Sequence, residues 1–133
     1  MSKSSGFFVT LEGIEGSGKS SLIASLASWL STQQTAVTVT REPGGTTLGK
    51  KIRELLLHHS GEPLSQIAEL LLFSADRAQH VAQVLRPALA QGQLVLCDRY
   101  IHSTLAYQGS ARGISREVLD TLLSLSTENL VPD

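Results

Sequence analysis

The eight residues Gly13-Ile14-Glu15-Gly16-Ser17-Gly18-Lys19-Ser20 constrain this chain more than any other feature. They fit G-x-x-x-x-G-K-[ST], a loop whose backbone N–H groups turn inward to hold phosphate oxygens, provided that a strand precedes it and a helix follows. Both flanks are present. Phe7 to Leu11 is short, apolar and β-prone, and from Lys19 to Leu30 the residues Leu22, Ile23, Leu26, Ala27 and Leu30 recur at helical spacing. The positive end of that helix adds to the pull of the amides on an anion. Lys19 would reach the outer phosphates and the Ser20 hydroxyl would ligate magnesium.

The rest of the chain repeats the alternation. Ala36 to Thr40 is β-branched and predicts a second strand ending at Arg41, because Pro43, Gly44 and Gly45 cannot continue it. Leu48, Ile52, Leu55 and Leu56 predict a second helix, and Ser65 to Gln91 a long helical stretch with a break or kink at or before Pro87. Leu94-Val95-Leu96-Cys97 is too short for a helix and reads as a buried third strand, and Ser115 caps a helix carrying Val118, Leu119, Leu122 and Leu123. Strand and helix in this order predict an α/β fold of the P-loop type, a parallel sheet with helices on both faces. Ligands of such sheets bind beyond the carboxyl ends of the strands, where this chain places Glu12-Gly13, Arg41-Glu42 and Asp98-Arg99.

Composition narrows the function. With 133 residues the chain suits one domain. Eleven basic against twelve acidic side chains leave no broad cationic field, which argues against a nucleic-acid polymer as partner. No apolar run exceeds four residues, so a membrane partner is not expected, and the start lacks the pattern of a secretory signal, so the expected location is cytoplasmic. Cys97 is the only cysteine and, inside an apolar run, reads as a buried small hydrophobe.

Several residues could carry chemistry. Asp98 directly follows the third strand, where a carboxylate can support a magnesium shell or simply cap the next turn. Arg41 and Arg99 stand at strand exits and are better candidates for phosphate than Arg112 or Arg116. Two unit charges about 4 Å apart repel by roughly 4 kcal/mol at an effective dielectric of 20, and bidentate arginines offset that repulsion well. Phe73 and Arg77, four apart on a predicted helix, could offer a stacking ring beside a donor fork. Spacing alone favours a core phenylalanine with a solvated arginine.

Taken together, these motifs resemble the thymidylate kinase family of the bacterial kind from about Phe7 to Asp133. The resemblance rests on the phosphate loop with Glu15 inside it, Arg41 to Thr46, Phe73 to Arg77, Asp98-Arg99-Tyr100, and Ser103 to Gly109. It implies transfer of the γ-phosphoryl of ATP to dTMP, giving dTDP and ADP for dTTP synthesis, with Mg2+ as cofactor and a homodimer as the assembly. ATP would be held by Gly13, Ile14, Glu15, Gly16, Ser17, Gly18, Lys19, Ser20 and Ser21, and magnesium by Ser20 and Asp98. Glu15, Lys19, Arg41, Asp98 and Arg99 would form the catalytic set. For dTMP the resemblance implies Phe73 stacked on thymine, Arg77 donating to a thymine carbonyl, and Arg41 and Arg99 on the phosphate. Glu15 would meet the sugar, with Pro43, Ser103, Thr104, Tyr107 and Gln108 completing the acceptor site.

Gly16 stands where some members carry a basic residue, and members lacking it take catalytic arginines from a lid. In the family pattern that lid, the adenine-contacting segment and further strands follow Asp133. The chain is therefore expected to be the amino-terminal portion, residues 1–133, of a single nucleoside monophosphate kinase domain. Three strands alone are expected to leave the apolar central strand with an unpaired edge. On this expectation such a portion binds with little catalysis. Two alternatives remain, a non-catalytic nucleotide-binding fragment and a P-loop hydrolase, the latter disfavoured because neither N-K-x-D nor D-x-x-G occurs.

Overall fold

The apolar run at Leu94 forms the middle of a parallel sheet. A computed structural model describes residues 5–14, 16–58, 61–101 and 113–133. Strands β1 (Phe7–Leu11) and β2 (Val37–Arg41) lie on either side of β3 (Leu94–Asp98), in the order β1-β3-β2. The register sets Leu11, Asp98 and Arg41 in one row, so all three strands finish level with each other. This order corrects the expected unpaired edge, since β3 is bonded on both sides and the outer edges belong to β1 and β2. The outer edge of β1 is met in turn by Asp133, whose N–H donates to Phe8 O at 2.8 Å and whose Oδ2 accepts from Phe8 N at 2.8 Å.

Helices α1 (Lys19–Thr32), α2 (Thr47–Leu57), α3 (Gln66–His80) and α4 (Arg86–Ala90) fill the intervals, and α5 (Arg116–Thr127) follows β3. Thr46, Ser65 and Ser115 cap α2, α3 and α5, each side-chain oxygen accepting from a backbone N–H three residues on. The long helical stretch is interrupted as expected before Pro87. One π turn, Val81–Leu85, separates α3 from α4, because a proline supplies no N–H and its ring crowds the preceding turn.

Side chains alternate along a strand, so Val95 and Cys97 point to one face of β3 and Leu96 to the other. Phe8, Val95 and Cys97 pack with Val81 and Leu85 of the π turn, Ala88 of α4 and Tyr100 into the core, while Leu96 on the opposite face is also buried. Each large apolar side chain withdrawn from water in this way contributes roughly 1.5–3 kcal/mol. Tyr100 is fixed most firmly. Its ring meets Phe8 edge-on at 5.1 Å and its hydroxyl donates to Leu130 O at 2.9 Å. Because Tyr100 is two residues beyond the end of β3, this anchoring carries the rigidity of the core to the edge of the site. Among the described residues no helix is long and apolar enough to cross a membrane.

Candidate active site

The level strand ends open into a cavity of about 480 Å³. Its lining runs from Gly16 to Ser21 and includes Arg41, Glu42, Pro43, Arg53, Asp98 and Arg99. The phosphate loop reaches it because Gly16 and Gly18 adopt φ of 77° and 87°, a left-handed backbone that only glycine enters without strain. Ser17 N donates to Ile14 O at 3.3 Å and tightens the turn. Immediately after Gly18 the chain enters α1, which aims the amino end of that helix at the cavity.

Lys19 and Asp98 meet across the floor. Lys19 Nζ lies 3.2 Å from Asp98 Oδ1, a buried oxygen whose partner is this ammonium. A buried carboxylate oxygen paired with an ammonium marks a place suited to positive charge, a metal ion or a metal-bound water included. Among the described residues no group of three acidic, histidine or cysteine side chains could hold a metal alone. That donor set fits Mg2+, which keeps several waters and binds through one or two carboxylates together with substrate phosphates. Ser20, in the same lining, would supply a hydroxyl.

Arg99 is placed by backbone geometry. Its φ is 69°, costing a non-glycine residue about 1–3 kcal/mol, so its surroundings must over-determine the conformation. They do so through hydrogen bonds between adjacent strand exits: Arg99 N donates to Leu11 O at 2.9 Å, Glu42 N to Asp98 O at 3.0 Å, and Tyr100 N to Glu12 Oε1 at 2.7 Å.

Behind the lining runs a buried polar network. Glu42 Oε1 accepts from Arg77 Nε at 2.7 Å, and Glu42 Oε2 lies 2.8 Å from His80 Nδ1. His80 Nε2 is 2.6 Å from Thr40 Oγ1, and Arg77 Nη2 donates to Tyr100 O at 3.0 Å with its guanidinium 5.0 Å from the Tyr100 ring centre. Asp76 Oδ1 accepts from Gly44 N at 3.0 Å. Burial, reinforced by the Glu42 charge, outweighs this bond and the nearby cations and pushes the Asp76 carboxyl up to about 6. Burial likewise pushes the Cys97 thiol well up, which agrees with an inert apolar role.

The sequence candidates divide accordingly. The cavity gathers Gly16, Ser17, Gly18, Lys19, Ser20, Ser21, Arg41, Pro43, Asp98 and Arg99, whereas Gly13 and Ile14 open the loop outside its lining. Phe73 and Arg77 lie on α3 outside the lining too. Arg77 is buried, 3% exposed, and is not the solvated arginine that spacing alone favoured. Glu15, Ser103, Thr104, Tyr107 and Gln108 lie outside the described residues. Sequence reasoning missed Arg53, which reaches the cavity from α2 and donates to Pro43 O at 3.1 Å. It also missed the anchoring roles of Glu12, Glu42, Asp76 and His80. Arg53 had one weak signal, a position four residues after Gly49 and so on the same face of α2.

A parallel sheet, a phosphate-loop motif between β1 and α1, and a cation-lined cavity at the strand ends define an α/β protein of the P-loop class. Comparison with known proteins narrows this class. A family model described as thymidylate kinase matches residues 11–133, and the chain belongs to the thymidylate kinase family. It is 52% identical over 128 residues to a thymidylate kinase of Pelobacter propionicus, covering 96% of this chain and 58% of that protein. With a thymidylate kinase of Bifidobacterium longum it shares 49% identity over 132 residues, covering 97% and 64%. The crystal structure of thymidylate kinase from Ehrlichia chaffeensis superimposes with a TM-score of 0.87 at 42% identity, covering 97% of this chain and 68% of that one. The chain thus spans about three fifths of the length of the curated relatives it matches.

Proposed function

We propose that this protein transfers the γ-phosphoryl group of ATP to dTMP, forming dTDP and ADP. The observation that carries the reading is the gathering of Lys19, Arg41, Arg53 and Arg99 with Asp98 in one cavity beside a phosphate loop, in a chain of this family. Transfer joins two polyanions. The bond between the γ-phosphorus and the bridging oxygen breaks as an acceptor phosphate oxygen forms the new one, and the electron pair leaves with ADP. Such a reaction asks mainly for alignment and charge stabilisation, and an ionised acceptor phosphate needs no strong base.

In this reading the loop amides and Lys19 hold the β- and γ-phosphates, while Arg41, Arg53 and Arg99 hold the acceptor phosphate and the transferring group. Ser20 and Asp98 would hold Mg2+, which supplies charge neutralisation when bound. Phe73 and Arg77 serve the thymine base, and Glu15, Ser103, Thr104, Tyr107 and Gln108 the remaining acceptor contacts, as the family pattern implies. A homodimer, a cytoplasmic location and a single kinase domain, of which residues 1–133 are the amino-terminal portion, complete the proposal.

The test incubates the protein with magnesium, ATP and each nucleoside monophosphate in turn and identifies the diphosphates by chromatography. dTDP formed well above the other products supports the reading. Release of ADP at the same rate without any acceptor would replace it with hydrolysis.

A further inference from the structure

Among the described residues, non-glycine positive φ also occurs at Gln34, Glu128 and Asn129, all in turns that follow a helix. Arg99 differs because it leaves a strand and lines the phosphate cavity. The residue after it cannot yield, since Tyr100 is fully buried, with its ring on Phe8 and its hydroxyl on Leu130 O. Between this fixed ring and the end of β3, the path of the chain is decided by what holds the Tyr100 peptide groups. Arg77 takes the carbonyl at 3.0 Å, and Glu12 Oε1 takes the N–H at 2.7 Å. Glu12 comes from the exit of β1, and Gly13, the first residue of the phosphate loop, follows it directly.

We propose that Glu12 is a positioning residue for phosphoryl transfer. By accepting the Tyr100 N–H it holds Arg99 in the left-handed conformation that presents its side chain to the cavity, and it ties that conformation to the start of the phosphate loop. The arginine and the amides that grip the nucleotide then share one frame, although they leave different strands. This inference rests on the proposed action of Arg99 on the phosphates. Glu12 itself lies outside the cavity lining.

The experiment is a double-mutant cycle in the full-length protein, following dTDP formation from ATP and dTMP in wild type, Glu12→Ala, Arg99→Ala and the double variant, with Glu12→Gln alongside. Misplacing a charge-stabilising group by about 1 Å can cost about 100-fold, so Glu12→Ala should lower kcat by about 10- to 100-fold while KM for ATP changes less than about threefold. Glu12→Gln keeps an acceptor oxygen and should stay within about fivefold of wild type. In the Arg99→Ala background Glu12→Ala should cost less than about threefold, because the group it positions is gone. The inference is overturned if Glu12→Ala costs the same factor in both backgrounds, or if Glu12→Gln is as impaired as Glu12→Ala. Should thermal melting find Glu12→Ala unfolded, Glu12→Asp, whose shorter side chain cannot reach the same N–H, replaces it with the same two outcomes. An inactive wild type, or full activity in Arg99→Ala, defeats the reading of Arg99 and this inference together.

Discussion

Asp76 should make the protein less stable as pH rises through the weakly acidic range, and replacing it with asparagine should remove that dependence. The carboxyl is 1% exposed and titrates at about 6 in the fold, against 3.8 for the free side chain. A raised native value means that, between these two pH values, the folded state retains a proton that the unfolded state has released. Stability from this group is therefore complete below the unfolded value and is lost as pH rises through the folded one. A difference of about two pH units at about 1.4 kcal/mol each amounts to about 3 kcal/mol, fully lost above about pH 7. Asparagine keeps an oxygen for Gly44 N–H without the charge. Urea unfolding of wild type and Asp76→Asn, measured from pH 4 to 8, should give matching stabilities near pH 4 and a variant more stable by about 1–3 kcal/mol above pH 7. Comparing the two proteins cancels most of the contribution of the other carboxylates and histidines. Parallel curves over the whole range would refute the account of a charge disfavoured by burial.

Glu42→Ala leaves Arg77 and His80 buried without their shared carboxylate and should destabilise by about 3–5 kcal/mol, read as a melting temperature lower by roughly 10 °C or more; an unchanged melting temperature would count against the network. Phe73→Ala should weaken dTMP binding by about 1–3 kcal/mol in calorimetry while sparing ATP, a loss of base stacking. Equal dTMP affinity would remove Phe73 from the proposed site. Arg53→Ala should raise KM for the monophosphate by about 10-fold or more with KM for ATP little changed, since a charged hydrogen bond contributes about 1.5–3 kcal/mol. An equal rise in both would place Arg53 elsewhere in the mechanism.

The parts legible in the sequence are those whose physics is local. The phosphate loop declares itself through glycines at positions that need left-handed backbone, and the helix starts at Ser65 and Ser115 through side chains that satisfy orphan amides. Pro87 announces the interruption before α4, and Leu94 to Cys97 a buried strand. Strand order was less legible. Nothing local says that β3 inserts between β1 and β2, which brings Asp98 opposite Lys19 and Glu12 under Tyr100. The Glu42–Arg77–His80 network was hidden for the same reason. Each residue taken singly is an ordinary surface type, and only the packing of α3 against the Glu42–Thr46 segment makes the three a buried set. Spacing could place Arg77 on a helix face with Phe73, but not decide whether water or a carboxylate would meet it.

The most direct test is a crystal structure of the protein with a non-hydrolysable ATP analogue, magnesium and dTMP. The account predicts the β- and γ-phosphates against the amides between Gly16 and Lys19, the metal beside Ser20 and Asp98, and the acceptor phosphate within reach of Arg41, Arg53 and Arg99. A triphosphate bound away from this loop, with the strand-end cavity filled only by solvent, would contradict it.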